Sequence, residues 1–86
     1  MSYKHKDTGL VIEAIQYTGS NFDNVGLFLG SSTYWQQTEH GVRIINLADQ
    51  ELTIPVNDYI VKHDGKFFRE SGRGFEERFD VVDAGN

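Results

Sequence analysis

With 86 residues the chain has room for one folding unit (1–86) and a modest apolar interior. A net charge of −5 speaks against a general binder of phosphate backbones, which displaces counterions with a basic face. The absence of cysteine removes disulfides and thiolate metal sites, and the apolar runs are too short to cross a bilayer or form a secretory leader, so the expectation is an intracellular protein without a cofactor.

Residues 1–9 are polar and are expected to gain order only by pairing with another segment. Residues 10–18 (LVIEAIQYT) read as a strand with Leu10, Ile12 and Ala14 on one face and Val11, Ile15 and Tyr17 on the other. Apolar residues on both faces predict a strand near the middle of a sheet that is covered on both sides. Residues 20–29 form the one predicted helix, with Ser20 as N-cap, Asp23 in the first turn and Phe22, Val25 and Leu29 along one stripe. Gly30 ends it. Gly26 costs a helix interior about 1 kcal/mol relative to alanine, which implies either close packing at that point or a weak helix.

A meander follows, with strands at 33–39, 42–48 and 51–54. A turn at His40-Gly41 and another at Asp49-Gln50 would place Tyr34, Ile45, Leu47, Leu52 and Ile54 on one face, with Trp35, Val42 and Ile44 on the other. A four-residue loop that keeps Leu47 opposite Leu52 fits equally well. Pro55 closes this run, because it has no amide to donate to a ladder. Asp64-Gly65, between two runs rich in β-branched and aromatic residues, is the pattern of a type I′ hairpin turn. Pairing across it separates Tyr59, Val61 and Phe68 from Ile60, Lys62, Phe67 and Arg69. Residues 71–74 (SGRG) read as a turn, and Phe79, Val81 and Val82 as a last strand. The expected fold is α+β: a twisted antiparallel sheet or partly open barrel of five to seven strands, one short helix on one face, and Phe22, Val25, Leu29, Ile45, Leu47, Ile54 and Val61 in the core.

No constellation for chemistry stands out. His5, His40 and His63 are scattered without ligand spacing, so no metal is expected. No nucleophile elbow occurs, and the carboxylate pairs Glu76-Glu77 and Asp49/Glu51 read as solvated edges, so no catalytic residue is assigned. Gly72-Arg73-Gly74 could cradle an anion or could serve only as a tight connection. Tyr34-Trp35 is the conspicuous aromatic pair, and one of the two must face away from whatever holds the other.

Two blocks resemble a family of small phage and prophage proteins. Val11-Ile12-Glu13-Ala14-Ile15-Gln16-Tyr17-Thr18-Gly19 with Asn21-Phe22 resembles an opening that runs VIEAIQWTGxNF, and Asp58-Tyr59-Ile60-Val61-Lys62 resembles a GDYIIK block. Gly65-Lys66-Phe67-Phe68 and Phe75-Glu76-Glu77-Arg78-Phe79 fall at the spacing of a GEFYPCKPDIFEKTY ending. The chain departs from the pattern at Asn57, which stands for a glycine, in a shorter turn after Lys62, and in Glu70–Gly74 (ESGRG) for CKPDI. The resemblance implies viral origin and a compact α+β fold, and it transfers no catalytic residue.

A small acidic phage protein of this kind is expected to act in the host cytoplasm by stoichiometric binding, as an inhibitor of a host protein such as a CRISPR effector. An aromatic anchor (Tyr34, Trp35) with an acidic rim (Asp49, Glu51, Glu76, Glu77, Asp80) would meet a basic, nucleic-acid-binding surface of that partner. The alternative is an oligomeric sponge for a nucleotide-like defence signal, with Phe67 and Phe75 stacking on a base and Arg69 and Arg73 holding phosphates. A structural part of the virion is a third option.

Overall fold

The computed structural model describes residues 2–30, 33–46 and 51–82. Among them the chain forms β1 (Ser2–His5), β2 (Val11–Gln16), α1 (Phe22–Leu29), β3 (Thr33–Thr38), β4 (Gly41–Asn46), β5 (Glu51–Ile54), β6 (Tyr59–His63), β7 (Lys66–Glu70), α2 (Gly72–Arg78) and β8 (Phe79–Val81). The fold is α+β and open. A five-stranded antiparallel sheet runs β7-β6-β2-β1-β8, and a separate three-stranded antiparallel sheet runs β3-β4-β5. The expected single sheet is therefore two, the expected five to seven strands are eight, and a second helix occupies most of the predicted 71–74 turn and the segment after it.

β2 lies at the centre of the larger sheet, but the expected cover of both faces holds only in part: Ile12 and Ala14 are buried, Ile15 is half-buried on the other face, and Leu10 and Val11 at its start are exposed. Ile12 and Ala14 point to one side, where they meet Tyr3, Tyr59, Val61 and Phe75. Tyr17 belongs to the other side, with Val25 and Leu29 of α1, Val42, Ile44 and Ile54 of the small sheet, and Ile60 and Phe67. α2 thus closes one face of the large sheet, while α1 and the small sheet close the other. Each fully buried large side chain contributes about 1.5–3 kcal/mol of transfer free energy, so a small protein gains by burying both faces.

The β6–β7 hairpin matches its sequence. His63 pairs with Lys66, and Asp64 and Gly65 take φ of 52° and 74°, the two left-handed residues of a type I′ turn. Asn57 also has a positive φ, 76°. Asparagine tolerates the left-handed region better than most residues, which gives a physical reason for Asn at a position where the resembling pattern has Gly.

Two expectations need correction. First, the cap of α1 is Asn21, not Ser20. The Asn21 carboxamide spans the β2–α1 connection: its Oδ1 accepts from the Thr18 amide at 2.9 Å and its Nδ2 donates to the Gln16 carbonyl at 2.7 Å. Second, the meander register differs. Val42 faces Ile54 and Ile44 faces Leu52, so Ile54 sits opposite a residue three positions before Ile45. An odd offset exchanges the faces of a strand. Val42 and Ile44 are consequently core, Ile45 is half-buried, and Tyr34 faces outward. The cause is visible at Gly41, where a Cβ would come within 2.0 Å of the Ile54 carbonyl oxygen. Only glycine admits that approach, and it pins β4 against the end of β5. Thr38 pairs with Gly41, so the β3–β4 turn is Glu39-His40 and not His40-Gly41. Leu47 and the Asp49-Gln50 turn lie outside the described residues.

Candidate functional site

α1 approaches the small sheet at β3, and the contact is made by Gly26 and Trp35. A Cβ on Gly26 would stand 2.5 Å from Cζ2 of the Trp35 indole. The glycine that weakens the helix therefore provides a flat platform, and the indole lies on it. Trp35 pairs with Ile44 and shares its inward face, yet it sits on the outermost strand and stays 37% exposed. Phe22, Asp23, Gly26, Leu27, Gly30 and Trp35 line a groove of about 530 Å³ between helix and strand. Leu27 is 82% exposed at its rim. The charged residue among these is Asp23.

Tyr34 faces the opposite way and is 77% exposed. With Trp35, Gln36, Arg43 and Ile45 it borders a shallow hollow of about 300 Å³ on the outer side of the small sheet. Arg43 donates from Nε to Glu51 Oε1 at 2.9 Å. That hydrogen bond, with the attraction of the opposite charges, holds the Glu51 carboxyl below its ordinary pKa and Arg43 above its own. Both aromatics expected as anchors are thus accessible, on the two sides of one strand.

The acidic rim is not one surface. Glu51 lies on β5 near the aromatics. Glu76 and Glu77 belong to α2 and Asp80 to β8, and α2 packs on the far face of the large sheet. Asp49 is outside the described residues. Glu76 is also engaged, because its Oε2 accepts from the Tyr59 hydroxyl at 3.0 Å. Burial, reinforced by this hydrogen bond, raises the pKa of Tyr59 well above that of an ordinary phenol.

The stacking clamp expected of Phe67, Arg69, Arg73 and Phe75 does not form. Phe67 and Phe75 are core residues of opposite faces of the large sheet, Phe67 near Phe28 and Phe75 stacked on Tyr59 at 4.1 Å between ring centres. A base cannot reach either ring. Arg69 donates to Asp58 Oδ2 at 2.8 Å, and Asp58 Oδ1 accepts the Gly72 amide at 3.2 Å. Ser71 caps α2 by accepting the Gly74 amide at 3.1 Å. The Gly72 and Gly74 amides expected in an anion cradle therefore have partners within the chain. Arg73 is exposed and borders a polar cleft of about 430 Å³ with Gln16, Asn57, Gly72, Glu76 and Glu77.

Among the described residues no group of three or more His, Asp or Glu is placed to hold a metal ion. His5 packs edge-on to Phe79, while His40 and His63 are exposed beside Glu39 and Asp64. Leu27 is the groove residue that sequence reasoning missed. Its signal was an apolar side chain off the Phe22-Val25-Leu29 stripe, where a soluble helix ordinarily carries a polar one. No family model matches the chain, and neither a curated protein nor a solved structure matches it significantly.

Proposed function

We propose that the protein is a non-catalytic binding module that engages one protein partner through the α1–β3 groove and its aromatic margin. The observation that carries this reading is the placement of Leu27 and Trp35, with Trp35 resting on the Gly26 platform, along an exposed groove that is not needed to close the core, while Tyr34 is exposed on the other side of the same strand. Clustered aromatic and aliphatic anchors of this kind are what protein interfaces use for affinity. The partner is basic at the contact: the net charge of −5 and Asp23 in the groove favour it, and long-range attraction raises the association rate. The resemblance to small phage and prophage proteins supports placing that binding between virus and host, with inhibition of a host defence protein as its outcome.

The test is capture from a bacterial host lysate by the tagged wild type and by Trp35→Ala, Leu27→Glu and Glu77→Gln variants of verified fold. Expected is a stoichiometric partner that elutes with salt, is retained by Glu77→Gln on the far face, and falls by at least about tenfold with either groove variant. Equal recovery by Trp35→Ala and wild type overturns the groove as the interface.

A further inference from the structure

An open sheet presents unpaired backbone groups along each outer strand, and proteins usually blunt such edges with charge, shortness, proline or cover. Among the described residues this protein has four outer strands, β7 and β8 in the large sheet and β3 and β5 in the small one. β7 carries Lys66, Arg69 and Glu70. β8 is three residues long and contains Asp80. β5 is four residues long, begins with Glu51, is followed by Pro55 and lies against β7. β3 lacks the charge, shortness and proline of the others, and α1 touches it on one face only, at Gly26 and Trp35. It is six residues long, its sequence TYWQQT is uncharged, and residues 34–37 are all exposed. The apolar groove lies beside this same strand, with Trp35 belonging to both.

We propose that β3 takes up an extended segment of the partner protein as a fourth strand of the small sheet. The inference rests on the groove reading above and specifies how the groove is used. An added strand makes main-chain hydrogen bonds along β3, and its side chains alternate between the two sides of the sheet. Those on the inner side reach the groove walled by Phe22, Leu27 and Trp35, so apolar residues are selected at every second position. Those on the outer side meet Tyr34 and Gln36. Because β3 is neutral and the groove's charged residue is Asp23, the segment is flanked by lysine or arginine and carries few acids. A second copy of this chain is the poorer occupant, since two molecules of charge −5 repel and neither brings a basic flank in β3.

The experiment selects linear peptides of about ten residues from a random displayed library against the intact protein, then resynthesises the winner with alternate backbone amides N-methylated in each of the two registers. Expected winners alternate apolar residues and carry basic flanks. Methylation in one register weakens binding by at least about tenfold and in the other has little effect, because only one edge of an added strand donates to β3. Binding also protects β3 amides from hydrogen exchange. Three results overturn the inference: winners without strand alternation, equal tolerance of methylation in both registers, or a dimer in sedimentation that is paired through β3. If the two registers behave alike but Trp35→Ala still abolishes binding, the groove reading survives and the added strand fails. If Trp35→Ala binds the winner as wild type does, the groove reading itself fails.

Discussion

The two faces of the five-stranded sheet are both closed, yet by different means. On one, a helix of seven residues suffices, because Phe75 brings an aromatic ring that stacks on Tyr59 and Phe79 and meets Tyr3 edge-on. Several of its polar groups are bonded within the chain, Tyr59 to Glu76 and Asp58 to Arg69 and the Gly72 amide, and its exposed surface is a polar cleft bordered by Arg73 and Glu77. On the other face a helix and a whole second sheet cover the core, and that larger cover has a margin. Trp35 and Leu27 lie on that margin, with Tyr34 on the other side of the same strand. A cover of one short helix buries its apolar side chain in the core and leaves only a polar cleft outside, whereas a cover built of two elements leaves an apolar seam between them. The seam is where recognition is available at little cost to stability.

That contrast can be broken most directly at Phe75. Phe75→Ala is expected to cost about 3–5 kcal/mol, read as a large fall in thermal midpoint, since the ring is buried at the centre of the cluster of Tyr3, Tyr59, Val61 and Phe79. A loss below about 1 kcal/mol would mean that α2 is a loose flap and not a lid.

The covering sheet offers the next test. Ile44→Ala is expected to cost about 2–4 kcal/mol, while Ile45→Ala, on the half-buried outer side, costs less than half as much. The reverse ranking in chemical denaturation would restore the register in which Ile45 faces Ile54.

The buried phenols supply a smaller, pH-dependent effect on the α2 side. Tyr59 and Tyr3 are both held above the ordinary tyrosine value of 10.0, each chiefly by burial. A raised pKa means that the protonated phenol is favoured in the folded state. Its contribution is complete below about pH 10 and is lost as the pH rises from there through the folded-state value. Stability therefore declines above about pH 10, and Tyr59→Phe should flatten that decline at a cost of about 1–2 kcal/mol near neutrality. An unchanged alkaline slope in Tyr59→Phe would remove this phenol from the account.

The smallest energetic effect belongs to the seam. In Gly26→Ala the new methyl displaces the Trp35 indole, which can swing outward, and the gain in helix propensity of about 1 kcal/mol offsets the lost contact. Little net change in stability is expected, together with a red shift of the fluorescence of the single tryptophan and weakened partner binding. Unshifted emission would show that the indole does not rest on the helix.

Several elements were legible because their causes are local. Asp64-Gly65 specifies its turn by backbone preference, and the alternation of Ile12 and Ala14 with Ile15 and Tyr17 marks β2 as a central strand, although Leu10 and Val11 at its start are exposed. α1 was found within two residues, from its stripe and from Gly30. α2 was not, because Gly72 and Gly74 in its first turn disfavour a helix; Ser71 as cap and the burial of Phe75 outweigh them. Of the candidate sites, Tyr34 and Trp35 were legible as a pair whose side chains must diverge. The acidic rim and the Phe67/Phe75 clamp were not, because residues close in sequence or alike in chemistry were assumed to share a surface.

By itself, then, the sequence determined the periodicities: that β2 to β7 are strands, which residues alternate together within each, where the type I′ turn falls, and that Gly26 requires a close neighbour or a weak helix, while β1 declared itself only through its pairing with β2 and β8. Tertiary structure decided everything that depends on which strand lies beside which. The approach of Ile54 to Gly41 set the β4–β5 register and so put Val42 and Ile44 inside and Tyr34 outside. The two faces of the large sheet, covered separately by α2 and by α1 with the small sheet, sent Phe67 and Phe75 into separate cores and Glu76 and Glu51 to opposite sides. The physical reason is that alternation along a strand is a property of one backbone, whereas a face becomes inside or outside only when another element covers it.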